Sequence, residues 1–355
     1  MPQLDYLILG QGLAGSLLAD RLWQAGQKVA LIDQGHQQAS SQLAAGIINP
    51  ITGRWFTKSW QMERLLPIAF AYYRQLEQRL GCPLLDEKEV AMLFRFPEVA
   101  NNWMARSTDP NLQPFVSPNF DQSAYERSFG ALAGGVEFSP AGRLNLPLLI
   151  ARYRAYWQEQ GQLLLEEAFD FEALELLENG VAYKSLQAKA IIFCEGAQVL
   201  QNPYFNALPF QPAKGEVLFV EIPDYPFDKK MVKDGIFIIP LGQQRYWVGS
   251  SYQHHYDSLA PTQAERYRLL GQLEQLLEGH SFKVLDHQAA ARPIQRKRRP
   301  ILGAHPQHPQ LYIFNGLGAK GSYLAPYCSA QLSAHLLQQK ALDEELDIAN
   351  YLDYF

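Results

Sequence analysis

Cysteine is scarce. Three residues in a chain of 355, Cys82, Cys194 and Cys328, stand without paired spacing. That excludes a disulfide framework and a thiolate zinc site, and it fits a reducing compartment. Long apolar runs are missing too: none approaches the roughly 18 residues that span a bilayer. No basic-then-apolar leader precedes the first strand, which begins near Leu4. The expectation is a soluble, cytoplasmic protein with no membrane partner. Positive charge is not in excess either. With 31 Lys and Arg against 36 Asp and Glu, the net charge is -5, which argues against a general nucleic-acid binder while leaving a local basic patch open. The eight histidines follow no metal-ligand spacing, so no metal is expected. His254 and His255, adjacent on a strand end, point opposite ways. Internal repeats, low-complexity tracts and long linkers are also lacking.

What is present is a large apolar fraction, 47%, enough for two cores. Tyr6-Leu7-Ile8-Leu9 is a short apolar run ending at glycine and reads as a buried parallel strand. Leu13 to Gln24 has helical periodicity, and Val29-Ala30-Leu31-Ile32 is a second buried strand. The three make one βαβ unit. Met62 to Arg79 reads as a helix that Pro67 kinks or delays. Residues 81–140 read as irregular, and Pro147 to Gln160 as a helix. Ala190–Cys194 reads as another buried strand. Residues 213–257 suggest antiparallel strands at Glu216–Glu221, Gly235–Pro240 and Tyr246–Ser250. Thr262-Gln263-Ala264-Glu265 opens a helix with a capping box. Leu311–Phe314 reads as a late strand, and Pro326 to Gln339 as a final helix. Nucleotide-type pieces lie at both ends and in the middle, with antiparallel pieces between them. The fold class is therefore α/β: a Rossmann-like dinucleotide domain (1–80, 141–205 and 285–355) interleaved with an α+β substrate domain on an antiparallel sheet (81–140 and 206–284).

Gly10-Gln11-Gly12-Leu13-Ala14-Gly15 is GxGxxG set between strand and helix. The first glycine permits the turn, the second lets a pyrophosphate approach the backbone, and the third lets helix and strand pack closely. The helix start, at Leu13 and Ala14, offers free N–H groups and a positive dipole end. Asp33, followed by Gln34, closes the second strand, where a carboxylate accepts ribose hydroxyls and repels a 2′-phosphate.

GxGxxG alone does not separate FAD from NAD, but four further segments resemble the D-amino-acid-oxidase-like flavoenzyme family. Ala39-Ser40-Ser41-Gln42-Leu43-Ala44-Ala45-Gly46-Ile47-Ile48-Asn49-Pro50 resembles its second cofactor motif. Ile192-Phe193-Cys194-Glu195-Gly196-Ala197 resembles its strand-then-Gly-Ala motif. Ala291-Arg292-Pro293, followed by Arg299-Pro300-Ile301-Leu302-Gly303, resembles its substrate-arginine segment. Asn315-Gly316-Leu317-Gly318-Ala319-Lys320-Gly321-Ser322, leading to Pro326, resembles its C-terminal flavin loop. Within the family, Gly142-Arg143-Leu144-Asn145 and the 317–321 stretch look closest to the oxidase domain of a bifunctional enzyme that modifies the wobble uridine of tRNA. Glycine and sarcosine oxidases are further relatives.

The resemblance implies non-covalent FAD held by Gly10, Gly12, Leu13, Ala14, Gly15, Asp33, Gln34, Ser40, Ser41, Ala45, Gly46, Ile47, Gly196, Ala197, Gly316, Gly318, Ala319, Lys320, Gly321 and Ser322. It places a carboxylate-binding guanidinium at Arg292, a group suited to bidentate contact, with a structural ion pair as the bland alternative. Lys320 either adds positive charge beside reduced flavin or points into water. Tyr252 is the candidate to touch substrate, with Phe237 and Trp247 on strands facing the flavin, though aromatics on strands are more often core. Trp55, Phe56 and Lys58 are weaker candidates. The run Arg296-Lys297-Arg298-Arg299 departs from the family and reads as a solvated loop, or as a rim that steers an anionic or RNA-borne substrate. The implied reaction is oxidation of the C–N bond of a carboxylate-bearing amine by hydride transfer to flavin N5. The implied substrate is a small amine or amino acid, or a modified nucleoside in tRNA. Two alternatives stay open: a flavin dehydrogenase of 2-hydroxy acids using a histidine base, and a catalytically silent flavin-binding protein.

Overall fold

The computed structural model describes residues 3–35 and 39–355. Five strands, Gln3–Leu9, Val29–Ile32, Leu164–Leu165, Leu186–Phe193 and Leu311–Asn315, pair in parallel. Numbered along the chain, they run 3-2-1-4-5 across the sheet. Leu7, Ile8, Leu31, Ile191 and Ile313 are fully buried, because helices and connections cover both faces of a parallel sheet. A hairpin of Leu174–Leu177 and Gly180–Tyr183 pairs antiparallel with the strand 186–193. Ile301–Ala304 pairs antiparallel with 311–315. The order reverses between 3–9 and 186–193. Connections leave that pair in opposite directions, so a crevice opens at its carboxyl ends, beside Gly10 and Cys194.

A second sheet of eight strands lies alongside. Its order is Lys283–Arg292, Ala213–Glu221, Arg245–Gly249, Ile236–Gly242, Met231–Asp234, Val90–Phe94, Gly134–Phe138 and Val116–Ser117. Only 231–234 and 90–94 are parallel neighbours. Side chains alternate between the two faces. Leu218, Val220, Val232, Ile238 and Val248 share a cluster with Leu269, Leu273 and Leu276 of the helix Gln263–Leu277. The opposite face presents Val217, Trp247, Ile239 and Ala290, which join the core shared with the nucleotide sheet. The strand carrying Arg292 pairs along its whole length with 213–221. By strand pairing it therefore belongs to the second sheet, not to the nucleotide unit that a boundary at 285 gives it.

Several elements differ from the sequence expectation. Residues 81–140 contain the strands Leu85–Glu87, Val90–Phe94 and Gly134–Phe138 and the helices Pro97–Met104 and Gln122–Phe129. Their apolar runs are short enough to be mistaken for loop. The helix Met62–Leu80 runs through Pro67. The carbonyl that Pro67 leaves without a donor belongs to Glu63, which is exposed and can be hydrated. The last helix is Gly321–Gln338, starting five residues before Pro326. Pro326 has no N–H for the Ser322 carbonyl, but Tyr73 Oη donates to that oxygen at 2.7 Å, so a buried proline stays in the helix without an orphaned acceptor. His254 lies in a bend and His255 follows it, neither on a strand. Thr262 caps its helix, its Oγ1 accepting from Glu265 N at 3.3 Å, but the reciprocal half of the capping box is absent: Thr262 N donates to Glu216 Oε2 at 2.8 Å instead of to Glu265.

Candidate active site

A cavity of about 590 Å³ opens at the reversal point and extends between the two sheets. At its nucleotide end, three glycines decide the shape. Gly10 has φ +96°, and a Cβ there would lie 2.6 Å from the Cys194 carbonyl oxygen. A Cβ on Gly15 would lie 1.9 Å from the Gly10 oxygen, and one on Gly12 would meet Ser41 Oγ at 3.2 Å. The first hydrogen bond of the helix Leu13–Gln24 is Ser16 N to Gly12 O at 3.0 Å. The N–H groups of the first turn therefore lack helical acceptors. Ser41 Oγ takes that of Leu13 at 3.1 Å. Gly46, at φ +78°, brings the second cofactor segment so close to the strand Gly142–Leu144 that a Cβ would lie 1.8 Å from the Leu144 oxygen.

Asp33 is held from three sides. It accepts from Gln11 N at 2.7 Å, Gly35 N at 2.7 Å and Arg154 Nη1 at 3.1 Å. Glu167 and Phe169 form the adjoining wall. Glu195 faces the cavity beyond the Gly10 turn, with Asn202 Nδ2 donating to it at 2.7 Å. Enclosure pushes its carboxyl up to about 7, against the lowering effect of that bond.

At the other end lies Arg292. Its guanidinium donates to Ser250 Oγ at 2.5 Å and to the Ser251 carbonyl at 3.3 Å, and lies 5.8 Å from the Tyr252 ring centroid. It has no carboxylate partner among the described residues. Burial depresses its pKa, opposed only by Tyr252. The guanidinium rests on Gly215, where a Cβ would lie 2.2 Å from Nη2, 2.4 Å from Nη1 and 2.5 Å from Cζ. Only glycine leaves that seat. The segment bearing Ser250 and Tyr252 is fixed to the same strand. Gln253 and Lys214 exchange backbone bonds of 2.8 and 3.0 Å, and Glu216 N donates to Ser251 Oγ at 2.8 Å. Trp247 Nε1 donates to Leu43 O at 2.9 Å, tying the sheet face to the second cofactor segment. Lys320 stands at the start of the last helix and lines the cavity. Its pKa is lowered by burial first and then by Arg299 and Arg298.

The structure brings most of the expected residues to this cavity. Gly10, Gly12, Leu13, Ala14, Asp33, Gln34, Ser40, Ser41, Ala45, Gly46, Ile47, Gly196, Ala197, Gly318, Ala319, Lys320, Gly321, Ser322, Tyr252 and Arg292 line it, as do Phe237 and Trp247. Two expected cofactor residues lie behind the lining. Gly15 packs on Gly10, and a Cβ on Gly316 would lie 3.2 Å from Arg299 O. Tyr252 follows the strand 245–249 instead of lying on it and is half exposed. Trp55 is exposed, Phe56 is buried in the core, and Lys58 pairs with Glu63; none of the three is in the lining. Arg296, Lys297 and Arg298 are exposed, and Arg299 pairs with Glu345 at 3.0 Å.

Four features had no sequence reading: Gly215 beneath Arg292, the Asp33–Arg154 pair, the carboxyl of Glu195, and Lys233, which lines the cavity from the strand 231–234. Two of them left a trace in the residues. Gly215 interrupts a strand, which marks close approach of another group, and Glu195 ends an apolar strand with a charge.

These residues fit FAD. The glycine cradle and open helix start suit a pyrophosphate, Asp33 suits the adenosine ribose, and the second end is wide, apolar-walled and cationic, as an isoalloxazine and an anionic substrate require.

Comparison with known proteins agrees. The family model described as DAO, FAD dependent oxidoreductase, matches residues 5–336. The glycine oxidase of Pseudomonas aeruginosa is 24% identical over 93% of this chain and 94% of its own. The tRNA 5-methylaminomethyl-2-thiouridine biosynthesis bifunctional protein of Azoarcus sp. is 23% identical over 98% of this chain, which spans 59% of that protein's length. The crystal structure of glycine oxidase from Geobacillus kaustophilus superposes with a TM-score of 0.82 at 22% identity, covering 99% of this chain and 98% of that one.

Proposed function

The chain belongs to the DAO family of FAD-dependent oxidoreductases, and from that premise we propose that it oxidises the C–N bond of a small amine bearing a carboxylate, an amino acid or an N-substituted glycine. The observation that carries this reading is the unneutralised guanidinium of Arg292, seated on Gly215 and facing a cavity whose other walls are largely apolar.

FAD, when bound, supplies the two-electron acceptor for the hydride that leaves the α-carbon. The protein's own part is binding and orientation. Arg292 takes the substrate carboxylate in a fork of charge-assisted hydrogen bonds, each worth about 1.5–3 kcal/mol. Ser250 and the Ser251 carbonyl fix the guanidinium plane beforehand, so little order is lost on binding. Phe237, Trp247 and Val217 exclude water around the substrate. Lys320, cationic and without an acidic partner among the described residues, would face the flavin loop that it opens. The substrate's neutral amine supplies the electron pair that forms the imine, and water then hydrolyses the imine to carbonyl and amine. This chemistry needs no side-chain base. A 2-hydroxy acid does need one, and among the described residues no histidine lines the cavity.

The test is the visible spectrum of the purified holoprotein under anaerobic titration. N-methylglycine and related N-substituted glycines should bleach the flavin, 2-hydroxy acids should not, and Arg292→Ala should abolish bleaching while keeping the flavin. Bleaching by hydroxy acids alone refutes the amine assignment.

A further inference from the structure

The cavity-facing row of the second sheet ends in two cations, not one. Strand pairing places Val217 opposite Gly249, Gly249 opposite Phe237, and Phe237 opposite Lys233, so all four share the face that carries the Arg292 guanidinium on Gly215. Lys233 lines the same cavity as Arg292. Its Nζ lies 5.1 Å from the Phe237 ring centroid. It has no hydrogen bond and no acidic partner among the described residues. Burial alone lowers its pKa. A half-buried ammonium without an acidic partner is costly, and one laid over an aromatic face at a cavity wall is positioned for an anion that arrives with a ligand.

We propose that the substrate is a secondary amine carrying two carboxylates, with Arg292 binding one and Lys233 the other. This rests on the amine-oxidation reading above and specifies its substrate class. The dimensions allow it. Lys233 stands three strand spacings from Gly215, about 14 Å, with a two-residue offset of about 7 Å along the strand, so the two backbones lie about 16 Å apart. The lysine side chain lies over the Phe237 ring on the intervening strand, which sets its ammonium about 12–16 Å from the guanidinium. Ion-pair reach of about 4 Å at each end leaves about 4–8 Å between the two carboxylate groups, and carbon, nitrogen and carbon fill the short end of that range.

The experiment compares N-(carboxymethyl)glycine with N-methylglycine as substrates of the holoenzyme. It also compares their inert ether counterparts, diglycolate and methoxyacetate, as ligands followed by calorimetry. Wild type should favour the diacid of each pair by at least tenfold. Lys233→Met should remove that preference while leaving the kcat/KM of N-methylglycine within twofold and the flavin content unchanged, and Lys233→Arg should restore most of it. Equal affinity for diglycolate and methoxyacetate, or an equal loss on both substrates in Lys233→Met, overturns the proposal. The outcomes separate the two readings. If diglycolate binds through Lys233 and no amine is oxidised, the two-cation site stands and the reaction assignment falls. If N-methylglycine is oxidised with no diacid preference, the reaction assignment stands and this inference falls.

Discussion

Replacing Gly215 by alanine should weaken substrate capture without touching the cofactor. An added Cβ would lie 2.2–2.5 Å from the guanidinium atoms of Arg292, while ordinary contact begins at 3.4 Å, so the guanidinium must retreat by about 1.2 Å. The backbone at 215 is in a β-strand without positive φ, so alanine itself is tolerated there. The retreat strains the 2.5 Å bond to Ser250 Oγ and moves both fork donors off the carboxylate. Partial loss of a charge-assisted pair costs about 1.5–2.5 kcal/mol, roughly a 10- to 70-fold fall in kcat/KM. The assay is steady-state turnover of N-methylglycine, with flavin absorbance and thermal midpoint as controls. In an Arg292→Ala background the same substitution should add nothing, since the guanidinium it would displace is gone. Turnover within twofold of wild type, with flavin retained, would falsify the assignment of Arg292 as the carboxylate clamp.

Two further outcomes follow from the cavity walls. The carboxyl of Glu195, raised to about 7, is above its unfolded value of about 4.5, so the folded protein binds the extra proton. The cofactor-free protein should lose stability as pH rises from about 4.5 to 7, with the penalty fully present above that window. The full shift corresponds to about 3 kcal/mol, which cavity solvent reduces to about 1–2 kcal/mol. Glu195→Gln should therefore stabilise at pH 8 and hardly at all at pH 4.5 in urea titrations, and an equal effect at both pH values contradicts the mechanism. Trp247→Phe removes the donor to the buried Leu43 carbonyl, at a cost of about 1–3 kcal/mol. FAD affinity should fall with it, because Leu43 belongs to the segment that carries Ser40, Ser41 and Gly46. Unchanged FAD binding measured by fluorescence would detach that segment from the sheet.

The nucleotide end was legible in the sequence because its signals are local. GxGxxG, the adjoining apolar strands and Asp33 lie within one βαβ unit, and each residue type is dictated by backbone geometry. The last helix was read late because Pro326 normally marks a start, and only the distant Tyr73 hydroxyl explains why it sits inside. The 166–171 wall escaped because the strand before it is two residues long. Arg292 was marked by its motif, but its seat was not. Gly215 and Arg292 lie on neighbouring strands far apart in the chain, and pairing register is a tertiary fact. Lys233 carries no local signal at all: a lysine between two strands reads as a solvated charge until the sheet is built.

The charges around the cavity are unevenly placed. The lining holds three acids and three cations, and they are sorted. Asp33 is paired with Arg154 and Glu167 with Lys184, burial raises the carboxyl of Glu195 to about 7, and Asp33 and Glu195 stand near the glycine turn. A pyrophosphate bound there would meet no lysine or arginine of the lining, so its charge would be balanced by N–H groups and the helix dipole. Arg292 and Lys233 stand on the sheet face and Lys320 at the start of the last helix, all without carboxylate partners among the described residues. A protein of net charge -5 thus keeps a concentrated positive field inside a low-dielectric cleft, where each charge acts more strongly than on the surface. On the reading proposed above, loss of Arg292 should disable monoacid and diacid substrates together, and loss of Lys233 should disable the diacid alone.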